Sequence, residues 1–129
     1  MDKHKKLTLA ELMAKAEQRK AAKPVFGEGY VPALEGCLVL QKLPVSRFSD
    51  IMGRYDASDF GQAVQQQIEL VYASCPYLQD KGLQEAYGVQ EPTDIVMVML
   101  NDDLGTLASL TAVVMGFYGL GEADEELKN

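Results

Sequence analysis

The stretch SCPYLQDKGLQEAYGVQEPTDIV, residues Ser74 to Val96, decides how the rest of the chain is read. It opens on a cysteine beside a proline and runs into a helical pattern. It stops at Gly88 and restarts at Pro92-Thr93. Proline has no N–H and a fixed φ, so Pro76 either breaks a helix or begins one. The helix that follows is expected to end near Tyr87, with Gly88 just past its C-terminus. Thr93 or Asp94 then caps a short apolar helix, IVMVML. The stretch therefore reads as helix, turn and helix.

Toward the C-terminus, Asn101 or Asp102 is expected to cap a last helix reaching about Tyr118. Its Leu104, Leu107, Leu110, Val113, Val114 and Phe117 surround most of the circumference. A helix apolar all round is normally buried, which makes it a central core helix; alternatively, one side of it faces a partner. Gly119 and Gly121 release an acidic tail, GEADEELKN, expected to be mobile.

Toward the N-terminus, Ser58 or Asp59 caps a helix to about Ala73. Phe60, Val64 and Ile68 repeat every four along it, joined by Ala63, Val71 and Tyr72, with Gln62, Gln65, Gln66 and Glu69 opposite. Ser46 is expected to cap SRFSDIMGR, whose stripe is Phe48, Ile51 and Met52. Before it, Cys37-Leu38-Val39-Leu40 is an apolar run between turn residues. It reads as a strand at about 37–43, pairing with a poorer strand at about 25–31 that Gly27, Gly29 and Pro32 weaken. A lone hairpin is marginal in water, so it must pack on helices or pair with another chain. In residues 1–23, Thr8 and Glu11 have capping-box spacing, and Leu9, Leu12, Met13 and Ala16 form one stripe. Pro24 ends that pattern.

The fold expected is mainly α, with about five to six helices and a small β-hairpin near residues 25–43. A basic helical arm (1–23) precedes a single globular domain (24–121) and an acidic tail (122–129). Hydrophobic residues make up 47% and charged residues 24% of the 129, as in ordinary soluble domains. The net charge of -7 is unevenly spread. Residues 1–23 carry seven Lys/Arg and three acids, a net of +4, which leaves -11 on the remainder. A body this acidic repels phosphate backbones, so no nucleic-acid partner is expected. The basic arm suits an acidic partner or the acidic body of another copy. Two cysteines are too few for a disulfide scaffold and fit a reducing cytoplasm. The N-terminus is basic without a following apolar run, so it is not read as a secretory signal, and no membrane span is expected.

The side chains of catalysis are sparse. His4, the one histidine, lies in the arm with no visible support. Cys37, Cys75 and His4 lack zinc spacing. Asp102-Asp103 and Asp124-Glu125-Glu126 do not follow a calcium-loop pattern. GEG (27–29) and GLG (119–121) lack the full phosphate-loop pattern. Cys75 is the sharpest candidate, because a helix N-terminus lowers a thiol's pKa. No base or cation is close to it in sequence, and a structural, packed cysteine is the preferred reading. No catalytic, metal or cofactor site is assigned.

The motif itself resembles the XkdN-like tail assembly chaperones of phages and prophages of Gram-positive bacteria, whose pattern reads roughly "SCP.LQ.kELQEAYg..EP.DIV". The matching positions are Ser74, Cys75, Pro76, Leu78, Gln79, Lys81, Leu83, Gln84, Glu85, Ala86, Tyr87, Glu91, Pro92, Asp94, Ile95 and Val96. Tyr118-Gly119 matches a later "YG" step, and the LxLxKLPxS stretch, Leu38 to Ser46, is similar to the family's strand and helix start. The likeness covers most of residues 30–121. Gly82 stands where the pattern has a glutamate, VMVMLNDDLGTL is more apolar and Asp-rich, and the arm falls outside it.

The resemblance implies a non-enzymatic chaperone in the cytoplasm of the bacterial host, absent from the mature virion. It would bind the long helical tape measure protein and keep it soluble and extended while tail-tube subunits polymerise. Several families of this kind also make a longer, frameshifted form that recruits tube protein. Leu127-Lys128-Asn129 is compatible with a slippery A-AAA-AAC run, which the nucleotide sequence decides. Self-association through the hairpin edge or the basic arm is expected. Leu104, Leu107, Val114 and Phe117 are the candidate partner-binding residues. The motif residues Cys75 to Asp94 are expected to be scaffold. The competing reading is a small prophage-encoded regulatory or host-interaction protein that binds another protein. A thiol enzyme through Cys75 comes third.

Overall fold

A computed structural model describes residues 5–20 and 23–120. His4, the acidic tail and Leu127-Lys128-Asn129 lie outside the described residues. The protein is mainly α, with six helices and one two-stranded antiparallel sheet among the described residues.

Helix α1 runs Leu9–Lys20. The Thr8–Glu11 capping box forms in both directions. The Thr8 N–H donates to the Glu11 carboxylate at 2.9 Å, and the Glu11 N–H donates to the Thr8 hydroxyl at 3.2 Å. Two otherwise orphaned backbone donors are satisfied this way. The helix nevertheless buries none of its residues.

Strands β1 (Phe26–Val31) and β2 (Gly36–Gln41) pair in the register Phe26↔Gln41 through Val31↔Gly36, joined by a 3-10 turn at Pro32–Leu34. The hairpin thus pairs within the chain. Side chains alternate across a strand, so Gly27, Gly29 and Val31 share the inner face with Leu38 and Leu40. The glycines were expected only to weaken β1. Their larger role is close approach: a Cβ on Gly29 would lie 2.3 Å from Leu110 Cδ2, and one on Gly27 would lie 3.0 Å from the Phe117 ring. Gly-x-Gly therefore lets a helix lie against the strand.

The remaining helices are α2 (Val45–Gly53), α3 (Phe60–Ser74), α4 (Lys81–Ala86), α5 (Asp94–Leu100) and α6 (Leu104–Gly116). Asp59 caps α3 as expected, accepting from the Gln62 N–H. Four boundaries differ from the sequence reading. Ser46 is not the cap of α2: Pro44 holds that position, and Ser46 is inside the helix. The single helix expected after Pro76 is instead a 3-10 turn, Pro76–Gln79, followed by α4. Asp80 starts a new N-terminus there by accepting the Leu83 N–H at 2.8 Å. Neither Asn101 nor Asp102 caps α6; both are left-handed, with φ of 56° and 59°. Asp103 caps it, accepting from Gly105 and Thr106. Finally, α6 ends at Gly116, two residues early.

The α3 stripe also shifts. Steps of four overshoot the 3.6-residue turn, so a stripe counted from Ile68 drifts off the buried face by Phe60. Phe60 is 74% exposed, while Gln66, expected on the outer face, is buried. Its Nε2 donates to the Met52 carbonyl at 3.0 Å, which removes the cost of burying the amide.

The core is one cluster, with Val31, Leu40, Ile51, Leu70, Val71, Leu78, Ile95, Leu100, Leu107, Leu110 and Val114 fully or almost fully buried. Each such side chain contributes about 1.5–3 kcal/mol relative to exposure. Helix α6 is central and packs against α3, α5 and both strands. Among the described residues no single helix is long and apolar enough to cross a membrane. Helices α5 and α6 reach that length only together, bent by 116°.

Candidate interaction surface

Glycines on the inner face of β1 leave its large side chains on the outer face. Phe26 and Tyr30 are each 57% exposed there, and Val39 on β2 joins them. The 3-10 turn after α3 extends this surface: Phe26, Val39, Pro76 and Tyr77 line a shallow cleft of about 200 Å³. Tyr77 is 73% exposed. Isolated exposed apolar residues need no explanation, but Phe26, Tyr30, Val39 and Tyr77, with Glu28 among them on the same strand face, make this the candidate interaction face. Among the described residues each strand is paired on one side only, so two backbone edges adjoin the patch. An extended segment can add to such an edge, with its side chains on the apolar face.

The Ser74–Val96 motif positions that patch. Cys75 is fully buried and closes α3, and Pro76 and the 3-10 turn leave it at once. Burial pushes the thiol's pKa up, partly offset by the backbone N–H groups of Leu78 and Tyr77. The helix-start effect expected for Cys75 is thus outweighed by desolvation. Leu78 is buried directly behind the turn. Gln79 Nε2 donates to the carbonyls of Tyr72 and Ala73 at 3.1 and 3.3 Å, satisfying the end of α3. Gln84 Nε2 donates to the Tyr72 hydroxyl and the Leu78 carbonyl at 3.1 and 2.9 Å. Two glutamines therefore fix the turn that carries Tyr77. Leu83 packs on the core, whereas Glu85, Ala86, Tyr87, Glu91, Pro92 and Asp94 are exposed. The glutamate and proline give α5 its start, because their carbonyls accept the Asp94 and Ile95 N–H groups.

The other two stretches of the resemblance meet each other. The Tyr118 hydroxyl bonds to both backbone groups of Leu43, and the Tyr118 ring stacks on Phe48 at 4.0 Å. This closes the base of the hairpin against the end of α6. Burial pushes the Tyr118 phenol's pKa up.

A second cleft, about 600 Å³, separates α3 from α5. Ile68, Tyr87, Val89, Met97 and Val98 line it together with polar Gln65, Gln90 and Thr93, and Asp94 and Asp102 give it negative charge. Among the described residues no lysine or arginine lines it.

The four residues expected to meet a partner divide. Leu107 and Val114 are 1% and 0% exposed and belong to the core, so they offer no surface. Phe117 is partly buried beside Gly27. Leu104 is 44% exposed at the first turn of α6. The all-round apolar pattern of α6 thus reports a central helix rather than a docking face. Phe26, Tyr30 and Tyr77 were not expected at a surface. The Phe-Gly-Glu-Gly-Tyr alternation carries the signal for the first two: inward glycines put the aromatics outside. Among the described residues no three His, Cys, Asp or Glu side chains are grouped to hold a metal ion. Compared with protein-family models, curated proteins and solved structures, the chain gives no match.

Proposed function

We propose that this chain is a non-enzymatic tail assembly chaperone of the XkdN-like kind. It binds a phage tape measure protein and keeps it soluble and extended while the tail tube polymerises around it. It works in the cytoplasm of the bacterial host and does not enter the virion. The observation that carries the reading is the apolar outer face of the hairpin, Phe26, Tyr30 and Val39, continued by Tyr77. A tape measure exposes apolar helical or extended segments along its length, and a face of this kind covers them without chemistry. The acidic remainder of the chain supports the reading, because net charge keeps a complex of two apolar surfaces in solution. The resemblance supports it through three stretches whose residues fix the turn and hairpin base beside that face.

The test begins with the neighbouring genes: any very long, mainly helical protein encoded downstream is co-expressed with this chain. The chaperone reading expects that protein to move from the insoluble to the soluble fraction and to co-purify. A genome with no such reading frame, or no tail-tube gene upstream, would favour a regulatory or host-interaction protein.

A further inference from the structure

We propose that the cleft between α3 and α5 receives helix α1 from a second copy of this chain. The inference stands apart from what the hairpin face binds. A capping box starts α1, yet the helix buries none of its residues. α1 has 12 residues, about the length at which isolated helices are marginal in water. Leu9, Leu12 and Met13 are 73%, 50% and 62% exposed, and they lie on one side. A stripe of this kind forms a lasting helix when it lies in an apolar groove.

Charge selects the groove. Lys15 and Arg19 flank the lower part of the stripe, and Lys20 beside them pairs with Glu17 at 3.2 Å within the helix. The α3–α5 cleft offers Ile68, Met97 and Val98 to the apolar side and Asp94 and Asp102 to the cations. The depression at the helix's own C-terminal end has the wrong sign: on the body side Lys42 lines it, beside the arm's own Arg19 and Lys23, with no carboxylate among the described residues. Connectivity favours a partner's arm over the chain's own. The arm joins the body at Phe26, the open end of the hairpin, whereas α5 packs on the 3-10 turn at its far end. Six strand residues, about 20 Å, separate those two ends. Reciprocal exchange of arms between two copies makes a closed, two-fold dimer.

Sedimentation velocity on the full chain over a range of concentrations tests this. The wild type is expected to dimerise, and less so as salt is raised. Leu12→Asp with Met13→Asp removes the stripe at exposed positions, and Val98→Asp spoils the cleft, with Tyr87→Glu in reserve if Val98→Asp alters the circular dichroism. Each is expected to weaken dimerisation by about tenfold or more. Mixing the arm variant with the cleft variant restores one intact arm–cleft contact, so association partly returns. A wild type that is monomeric throughout, an arm variant that dimerises like wild type, or a mixture that gains nothing would each overturn the proposal.

Discussion

The Tyr118 hydroxyl donates to the carbonyl of Leu43 and accepts its N–H, each at 2.9 Å, across 75 positions of sequence. One side chain thus satisfies both backbone groups of the middle residue of the three between β2 and α2. Tyr118→Phe keeps the stack on Phe48 and removes both bonds. It is expected to cost about 1–3 kcal/mol, because the partly buried Leu43 groups lose their partner. Tyr118→Ala, which also loses the stack, should cost more. Denaturant unfolding of the two variants measures the difference, and a Tyr118→Phe variant as stable as wild type would remove this contact as a fastener of the fold.

Gly29 and Leu110 set the distance between hairpin and α6. Leu110 is fully buried, and a new methyl group on Gly29 would force its Cδ2 to shift within the core. Gly29→Ala should therefore destabilise by about 1–3 kcal/mol through overpacking. Gly36→Ala is the control, since a Cβ there finds its nearest neighbour at 3.8 Å. The control is expected to change stability by less than about 0.5 kcal/mol.

The two thiols differ in access. Cys37 is exposed on the hairpin, and Cys75 is fully buried with its pKa pushed up. A disulfide-exchange reagent at neutral pH should label one thiol quickly and the second only after unfolding, with Cys37→Ser abolishing the fast phase. Fast labelling of Cys75 in the folded protein would restore it as a reactive residue.

Asp103 accepts from the hydroxyl and N–H of Thr106, which hold its carboxyl below its ordinary 3.8. A lowered folded-state pKa means that the carboxylate's contribution is complete above the unfolded value and lost as pH falls through the folded one. The melting temperature should therefore drop as pH is taken below about 4, and Asp103→Asn should lose less over that window than wild type. Equal losses in the two proteins would show that the cap contributes nothing to the acid limb.

Local chemistry made much of the fold legible. The capping box at Thr8–Glu11, the hairpin and the central α6 follow from spacing and apolar pattern. Where the reading slipped, longer-range packing decided. Gln66 is buried because Met52, on another helix, offers its carbonyl. Three successive acidic or amide residues precede α6, and only the backbone shows that Asn101 and Asp102 are left-handed and that the cap falls to Asp103. The interaction surface was the least legible part. Apolar content pointed to α6, whose Leu107 and Val114 are core. The exposed face instead follows from two inward glycines and a turn held by Gln79 and Gln84, contacts that spacing along one chain does not reveal.

The most direct test of the proposed function substitutes the exposed face and leaves the core alone. Phe26→Ser with Tyr77→Ser changes two exposed side chains, and its melting temperature should stay close to wild type. Each chain is co-expressed with a candidate tape measure protein, a very long helical product of a neighbouring gene, and the soluble fraction of that protein is measured. The account predicts that wild type brings it into solution and that the folded double variant does not. Equal rescue by the variant would contradict the assignment of the surface, and no rescue by wild type would contradict the chaperone function itself.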